Sequence, residues 1–260
     1  MGRPIREVVV TVAAGVVEIR PRGGGGLAVV EVREVEGLPI QVVWEDSRLA
    51  VEQHRGGISN LAGALARAVG GRGRVRAHVI VSVSAAARVV VRTVAASTTV
   101  TGLPADVELS TGSGAVTLEE LGGRVHVRSG TGDVTGRGLT GDLRVSTGSG
   151  RLRLSGGRPR SVRMTTVTGH TDLDVAPGSC IVSMESVAAD LRVQAIGCTG
   201  LDVTADSASG QVVVDGKPLL MTQTGTPGGH VADGDRSLVV RAKTLRGNVL
   251  VDRVPQPAQG

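Results

Sequence analysis

Four side chains suited to acid–base or ionic chemistry recur at nearly constant intervals: Asp133, Arg151, His170 and Asp190. A histidine beside a carboxylate can serve as a general acid or base near neutral pH. If successive repeats of the chain lie side by side, about 4.8 Å apart, these four groups are close neighbours. They then form either a salt-bridged, solvated face or an acid–base site at His170 and Asp190, as on the outer faces of some glycan-processing enzymes. The first interpretation is favoured, because the sequence adds no second carboxylate pair.

Arginines concentrate in the same part of the chain. Guanidinium groups on neighbouring strands can bind phosphates or acidic glycans. The candidate anion-binding residues are Arg144, Arg151, Arg153 and Arg163. Asp142, Asp172 and Asp174 lie nearby in the sequence and would compete for these arginines.

Metal and cofactor motifs are not apparent. The five histidines are scattered and have no ligand spacing: His54, His78, His126, His170 and His230. The glycine-rich stretches lack the lysine and following helix of a phosphate-binding loop. No cofactor or metal is therefore expected, and no catalytic residue is assigned. Cys180 and Cys198 are expected to be reduced and structural.

A repeat of 18–21 residues organises the sequence between Val89 and Val251. Each copy has a small residue at a fixed position, here called the anchor. The nine anchors are Ala96, Gly114, Gly132, Gly150, Gly169, Ala189, Gly210, Gly229 and Gly247. Each anchor is preceded, three residues earlier, by a serine or threonine. A fixed period with drifting sequence is typical of a chain whose repeats stack on one another.

Apolar residues alternate on both sides of each anchor, which predicts two short strands per repeat joined at a tight corner. The predicted fold is therefore all-β: a single-stranded parallel β-solenoid (β-helix) of about nine coils over residues 78–252. The same alternation places the serine or threonine before each anchor on the inner face. These residues, here called the hydroxyl column, would form hydrogen bonds with backbone groups at the corner. The alternative is an exposed hydroxyl array that binds ice or a flat polymer.

The two ends of the chain differ from the repeat. Residues 1–77 are predicted to be a β-rich region that caps the solenoid and includes one short helix. That helix is indicated by the spacing of Ile58, Leu61, Ala62, Leu65 and Val69. Residues 253–260 form a proline-containing tail. Because both ends limit strand pairing with other chains, a monomer or small oligomer is favoured over a filament-forming, cytoskeletal-like protein.

Composition limits the partners. The 260-residue chain has a net charge of +5 and contains no Phe, no Tyr and only one Trp, Trp44. The chain therefore has hardly any aromatic side chains on which single-stranded bases could stack, and sequence-specific nucleic-acid binding is not expected. The basic charge permits an acidic polymer or a membrane surface as a partner. With no signal peptide or transmembrane run, the sequence predicts a cytoplasmic location.

Two repeats share a pattern of alternating apolar residues around Ser-Thr-Gly-Ser-Gly, at 107–118 and 143–154. In this pattern and in its N-terminal strands, the chain from about residue 5 to 252 resembles the bacterial putative-adhesin family. The resemblance implies a β-solenoid without established catalytic residues, often encoded beside envelope or regulatory genes. The expected function is a non-catalytic scaffold or protein-interaction module, envelope-associated and with a protein partner. The alternatives are the glycan-processing enzyme near His170 and the filament-forming protein.

Overall fold

The computed structural model describes residues 5–23, 28–53, 75–176, 178, 180–219, 228–235 and 237–255. The chain forms two compact units, Met1–Gly132 and Asp133–Gly260. All regular structure in the described residues is β-strand. Among these residues there is no helix that could span a membrane.

In its described residues, the first unit contains nine strands. They are β1 (Glu7–Pro21), β2 (Val29–Glu36), β3 (Ile40–Glu45), β4 (Arg48–Gln53), β5 (Arg76–Val83), β6 (Arg88–Thr101), β7 (Val107–Thr111), β8 (Val116–Glu119) and β9 (Val125–Ser129). Strand β1 pairs in parallel with β6 along one edge and with β4 and β5 along the other. β7 and β8 follow β6 in parallel, and β9 follows β7. The pairings β2–β5 and β3–β4 are antiparallel.

The part of the second unit that the structure describes contains eleven strands. They are β10 (Val134–Arg137), β11 (Asp142–Thr147), β12 (Arg151–Gly157), β13 (Ser161–Val175), β14 (Cys180–Ile196), β15 (Leu201–Ser209), β16 (Val212–Val214), β17 (Lys217–Pro218), β18 (Gly228–Asp233), β19 (Leu238–Arg246) and β20 (Val249–Val254). β10 pairs with β12, β11 and β12 pair with β13, and β13 pairs with β14, all in parallel.

Beyond β14, the order of strands departs from the order of the chain. β14 pairs not with β15 but with β19 and β20, the last two strands. β15 lies on the far edge of β19, and β16 on the far edge of β20. The outermost pairings, β15–β18 and β16–β17, are antiparallel.

The predicted single-stranded parallel β-solenoid, or β-helix, is therefore wrong. Such a fold stacks its coils in chain order with parallel pairing throughout, whereas here β1, β19 and β20 are inserted out of order and four pairings between described strands are antiparallel. The repeat could not reveal this, because β14, β15 and β19 share one alternation and are interchangeable in register. The copy with anchor Gly229 is no parallel coil, since it lies in antiparallel β18.

The structure describes only part of the features predicted for the two ends of the chain. The helix proposed for residues 58–69 lies outside the described residues, and the described part contains none. Most of the predicted tail, residues 256–260, also lies outside them. The predicted boundaries at residues 77 and 252 stay predictions.

The core of each unit is built from alternating Val and Leu side chains. In β7 and β8, for example, Val107, Leu109, Val116 and Leu118 are buried while the residues between them are partly exposed. This matches the alternation in the sequence. The lone Trp44 is on the exposed strand β3 rather than in the core.

Candidate functional site

The second unit does bring together the four residues suited to acid–base chemistry. We call them the acid–base column: Asp133, Arg151, His170 and Asp190. Arg151 is in register with His170 and His170 with Asp190 on adjacent parallel strands. His170 Nε2 lies 3.4 Å from Asp190 Oδ2. Asp133 is beside Arg151, whose backbone N–H donates to Asp133 Oδ1 at 2.7 Å. All four are at least partly exposed on the outer side of the corner.

The carboxylates of this column have a structural task that sequence reasoning missed. Asp190 Oδ1 accepts a hydrogen bond from the backbone N–H of Asn248 at 2.7 Å. Asn248 Oδ1 in turn accepts from the backbone N–H of Gln211 at 3.0 Å. Each Asp or Asn one residue after an anchor thus holds the backbone of the next strand pair. The recurrence of Asp and Asn at that position was the available signal.

Replacing Asp190 by alanine should therefore destabilise the second unit by about 1–2 kcal/mol, because the Asn248 N–H loses a charged acceptor. Asp190→Asn keeps an oxygen acceptor and should recover most of that loss. Urea unfolding followed by circular dichroism measures both variants. Equal losses in the two variants would show that the charge matters rather than the hydrogen bond to Asn248.

The four predicted anion-binding arginines lie in two pairs on different strands. Arg144 and Arg163 are in register on the outer face of β11 and β13. Arg151 and Arg153 are on β12, which belongs to the other strand of the repeat. Arg153 faces Asp172, with a guanidinium–carboxylate distance of 3.8 Å.

An open depression surrounds Arg153. Its lining residues are Arg153, Asp172, Leu173, Asp174, Arg192 and Gln194. With its amide oriented to suit its neighbours, Gln194 donates to Asp174 at 3.2 Å and accepts from Arg192 at 3.2 Å. In this depression, Arg153 thus lies beside Asp172, and Asp174 and Arg192 are both hydrogen-bonded to Gln194. Sequence reasoning did not single out Arg192 or Gln194.

A row of exposed apolar side chains lies beside the corner. Val167, Val187 and Leu245 are 51%, 45% and 56% exposed. Their flanking residues are in register, Thr166 with Ser186 and Ser186 with Thr244, so the three lie on adjacent strands β13, β14 and β19. We call this row the corner stripe. Sequence reasoning missed it, because Leu245 becomes a neighbour of Val187 only through the changed strand order.

The hydroxyl column before the anchors is structural. Most of its members are buried, and they bond backbone oxygens at the corner, as in Thr166 to Thr168 O at 2.8 Å and Ser207 to Gly247 O at 2.9 Å. Thr93 and Ser186 instead have no hydrogen-bond partner among the described residues, and they precede the alanine anchors Ala96 and Ala189. Because the buried members face inward, they cannot belong to an exposed hydroxyl array that binds ice or a flat polymer.

Two histidines outside the column pair with carboxylates. His78 lies 3.0 Å from Glu18, and this hydrogen bond is the main cause that lowers the pKa of Glu18. His230 lies 3.0 Å from Asp202. Within the described residues, no three His, Cys, Asp or Glu side chains are grouped so as to hold a metal ion.

Both cysteines are free and buried. Burial, with a smaller effect of Cys198, raises the pKa of the Cys180 thiol to about 11. Folding therefore favours the protonated thiol, a contribution to stability that is complete below the ordinary thiol pKa and lost as the pH rises towards 11. At pH 8 we expect native Cys180 to react with iodoacetamide roughly 100-fold more slowly than in urea. Mass spectrometry of the modified peptide measures this, and equal rates would contradict it.

Comparison with known proteins gives a likeness of fold. No protein-family model matches the sequence, and no protein of curated function matches it. A crystal structure of a putative adhesin from Bacteroides fragilis matches with a TM-score of 0.51 at 10% identity, covering 96% of this chain and 93% of that one. A putative cell adhesion protein from Clostridium sporogenes aligns over 97% of this chain and 94% of its own, with a TM-score of 0.28 and 11% identity. The Bacteroides fragilis match confirms, for the fold alone, the resemblance to putative adhesins that was inferred from the repeat.

Proposed function

We propose that the chain is a non-catalytic protein-interaction module and that the corner stripe is its protein-binding surface. The observation that carries this proposal is the row of Val167, Val187 and Leu245, three large apolar side chains left about half exposed on adjacent strands. Contiguous exposed apolar groups of this kind mark interaction surfaces on soluble domains.

The surroundings of the stripe favour a protein as its partner. Glu185 and Lys243 lie in register beside it, and Arg246 borders it on the corner side. An apolar centre with a charged rim is typical of protein–protein interfaces. A highly charged polymer offers little to bury against such a row. The Bacteroides fragilis protein is named a putative adhesin, and adhesion would also be a binding function.

The column at His170 supports a non-catalytic role. An acid–base site usually lies in a cleft that shields its groups from water, whereas the side chains of His170 and Asp190 are 62% and 40% exposed. Asp190 also accepts a hydrogen bond from the Asn248 backbone, as expected for a structural carboxylate. The cytoplasmic location and the monomeric or small oligomeric state stay predictions.

Site-specific photo-crosslinking in cells that produce the full chain tests the proposal. A photoreactive residue at position 187 should give one discrete protein adduct. The matched control is Ile181, which is on the same strand β14 and is 49% exposed but outside the stripe. That position should not give the same adduct.

The adducted protein, once purified, should bind the unlabelled chain directly. The double variant Val167→Thr with Leu245→Thr should bind it at least about tenfold more weakly, because the apolar anchor is lost. No adduct from position 187, the same adduct from position 181, or unchanged affinity of the double variant would each refute the corner stripe as the binding surface.

A further inference from the structure

We infer that a second surface, the outer face of β11, β13, β14 and β19, binds a linear polyanion carrying phosphate or sulfate groups through Arg144, Arg163 and Arg241. This inference does not depend on the corner stripe. It comes from the register of the strands and from arginines on this face that form no ion pair with any described residue.

The three arginines lie in one row across the strands. Arg144 is in register with Arg163, Arg163 with Ser183, and Ser183 with Arg241. At the usual spacing of about 4.8 Å between strands, the guanidinium-bearing positions lie about 5 Å and 10 Å apart along the row. All three arginines are exposed, while the residues before and after each one are buried, so their side chains emerge on the same side.

Arg144 and Arg163 form no ion pair within the described residues, in contrast to their neighbours. Arg160 lies 3.4 Å from Asp142, and Arg153 lies 3.8 Å from Asp172. Like charges directly opposite one another on adjacent strands are unfavourable. An anionic group between the two guanidinium groups would replace this repulsion with two charge-assisted hydrogen bonds.

The neighbouring columns complete the surface. Ser146 and Thr165, in register with one another, provide hydroxyl donors beside Arg144 and Arg163. Lys243, two residues beyond Arg241 on the same face of β19, adds a fourth positive charge. Two carboxylates oppose binding, Glu185 of β14 and Asp206 of β15, and both are in register with Lys243. The row itself, from Arg144 to Arg241, has three positive charges and no carboxylate among its described residues.

The linear arrangement indicates the kind of ligand. A small anion would engage only Arg144 and Arg163, whereas a chain of anionic groups running across the strands would also reach Arg241. The row contains no aromatic residue, since Trp44 is the only aromatic of the whole chain. Bases therefore have no aromatic side chain to stack on, and polyphosphate or a sulfated glycan fits better than a single-stranded nucleic acid.

Fluorescence anisotropy of labelled polyphosphate and of a labelled sulfated glycan measures binding to the full chain. Arg144→Gln with Arg163→Gln should weaken binding of the preferred polymer about tenfold, the loss expected for two charge-assisted contacts. The matched control, Arg151→Gln with Arg153→Gln, removes the same net charge from the other strand of the repeat and should change affinity less than about twofold. Arg241→Gln should weaken binding of the long polymer but leave pyrophosphate binding unchanged.

The two probes distinguish phosphate from sulfate as the recognised group, and thermal unfolding verifies that each variant is folded. Equal losses in the two double variants would overturn the inference, because net charge alone would then explain binding. Absence of binding to both polymers would also overturn it. So would equal affinity for single-stranded DNA, or binding only to anionic lipid vesicles.

Discussion

Replacing Gly169 by valine is expected to lower the free energy of unfolding by about 2–6 kcal/mol. Gly169 has a φ of +136°, a conformation that residues with a side chain rarely adopt. A Cβ at this position would lie only 2.1 Å from the carbonyl oxygen of Gly150 on the neighbouring corner. Because that atom is backbone, the clash cannot be relieved by moving a side chain, and the corner itself must shift.

A matched control separates backbone strain from the clash. Gly156 also has a positive φ, +65°, but a Cβ there would meet nothing within 4 Å. Gly156→Ala should therefore cost only about 1 kcal/mol, the strain alone. Urea unfolding of both variants provides the comparison. If Gly169→Val costs no more than Gly156→Ala, the close approach of adjacent corners is incorrect.

The anchor column shows what a repeat can and cannot predict. Small residues at the anchors correctly indicate corners where backbone passes close to backbone. Yet Ala189 occupies the same column as Gly169 and does not have a positive φ. The column thus requires a small residue everywhere, but glycine only where the corner turns through a left-handed conformation. The sequence pattern alone could not separate these two cases.

The order of the strands was beyond sequence reasoning for a physical reason. Val182, Val203 and Val240 occupy equivalent positions in β14, β15 and β19, and Val240 pairs in register with both of the others. Nothing in the alternation distinguishes one neighbour from another. One signal was available: the copy anchored at Gly229 has Asp233 where most other copies have Val or Leu. That copy is the one in antiparallel β18.

The candidate sites were partly predictable. The column of Asp133, Arg151, His170 and Asp190 follows directly from the anchor frame, and the structure brings these residues together. The arginine set was grouped by closeness in sequence instead. Arg144 and Arg163 precede their anchors by six residues, whereas Arg151 and Arg153 follow theirs. Counting from the anchors therefore already separates the two pairs of arginines. The corner stripe and Arg241 required the strand order, which the frame does not contain.

That strand order underlies both proposed surfaces, since it places Leu245 beside Val187 and Arg241 in the row with Arg163. Three exposed residues report on it directly. Glu185 of β14 is in register with Lys243 of β19, and Lys243 is in register with Asp206 of β15. Adjacent positions are about 4.8 Å apart and positions two strands apart about 9.6 Å. A disulfide requires Cα atoms within about 7 Å of each other.

Disulfide formation between engineered cysteines is therefore the most direct test, in a background with Cys180→Ala and Cys198→Ala. Glu185→Cys with Lys243→Cys should form the intramolecular disulfide nearly completely under mild oxidation, as read by peptide mass spectrometry. Glu185→Cys with Asp206→Cys should form almost none, because β19 lies between the two strands. A stack in chain order, with β15 next to β14, requires the reverse. Efficient bonding of the second pair and failure of the first would contradict the strand order and both surfaces that depend on it.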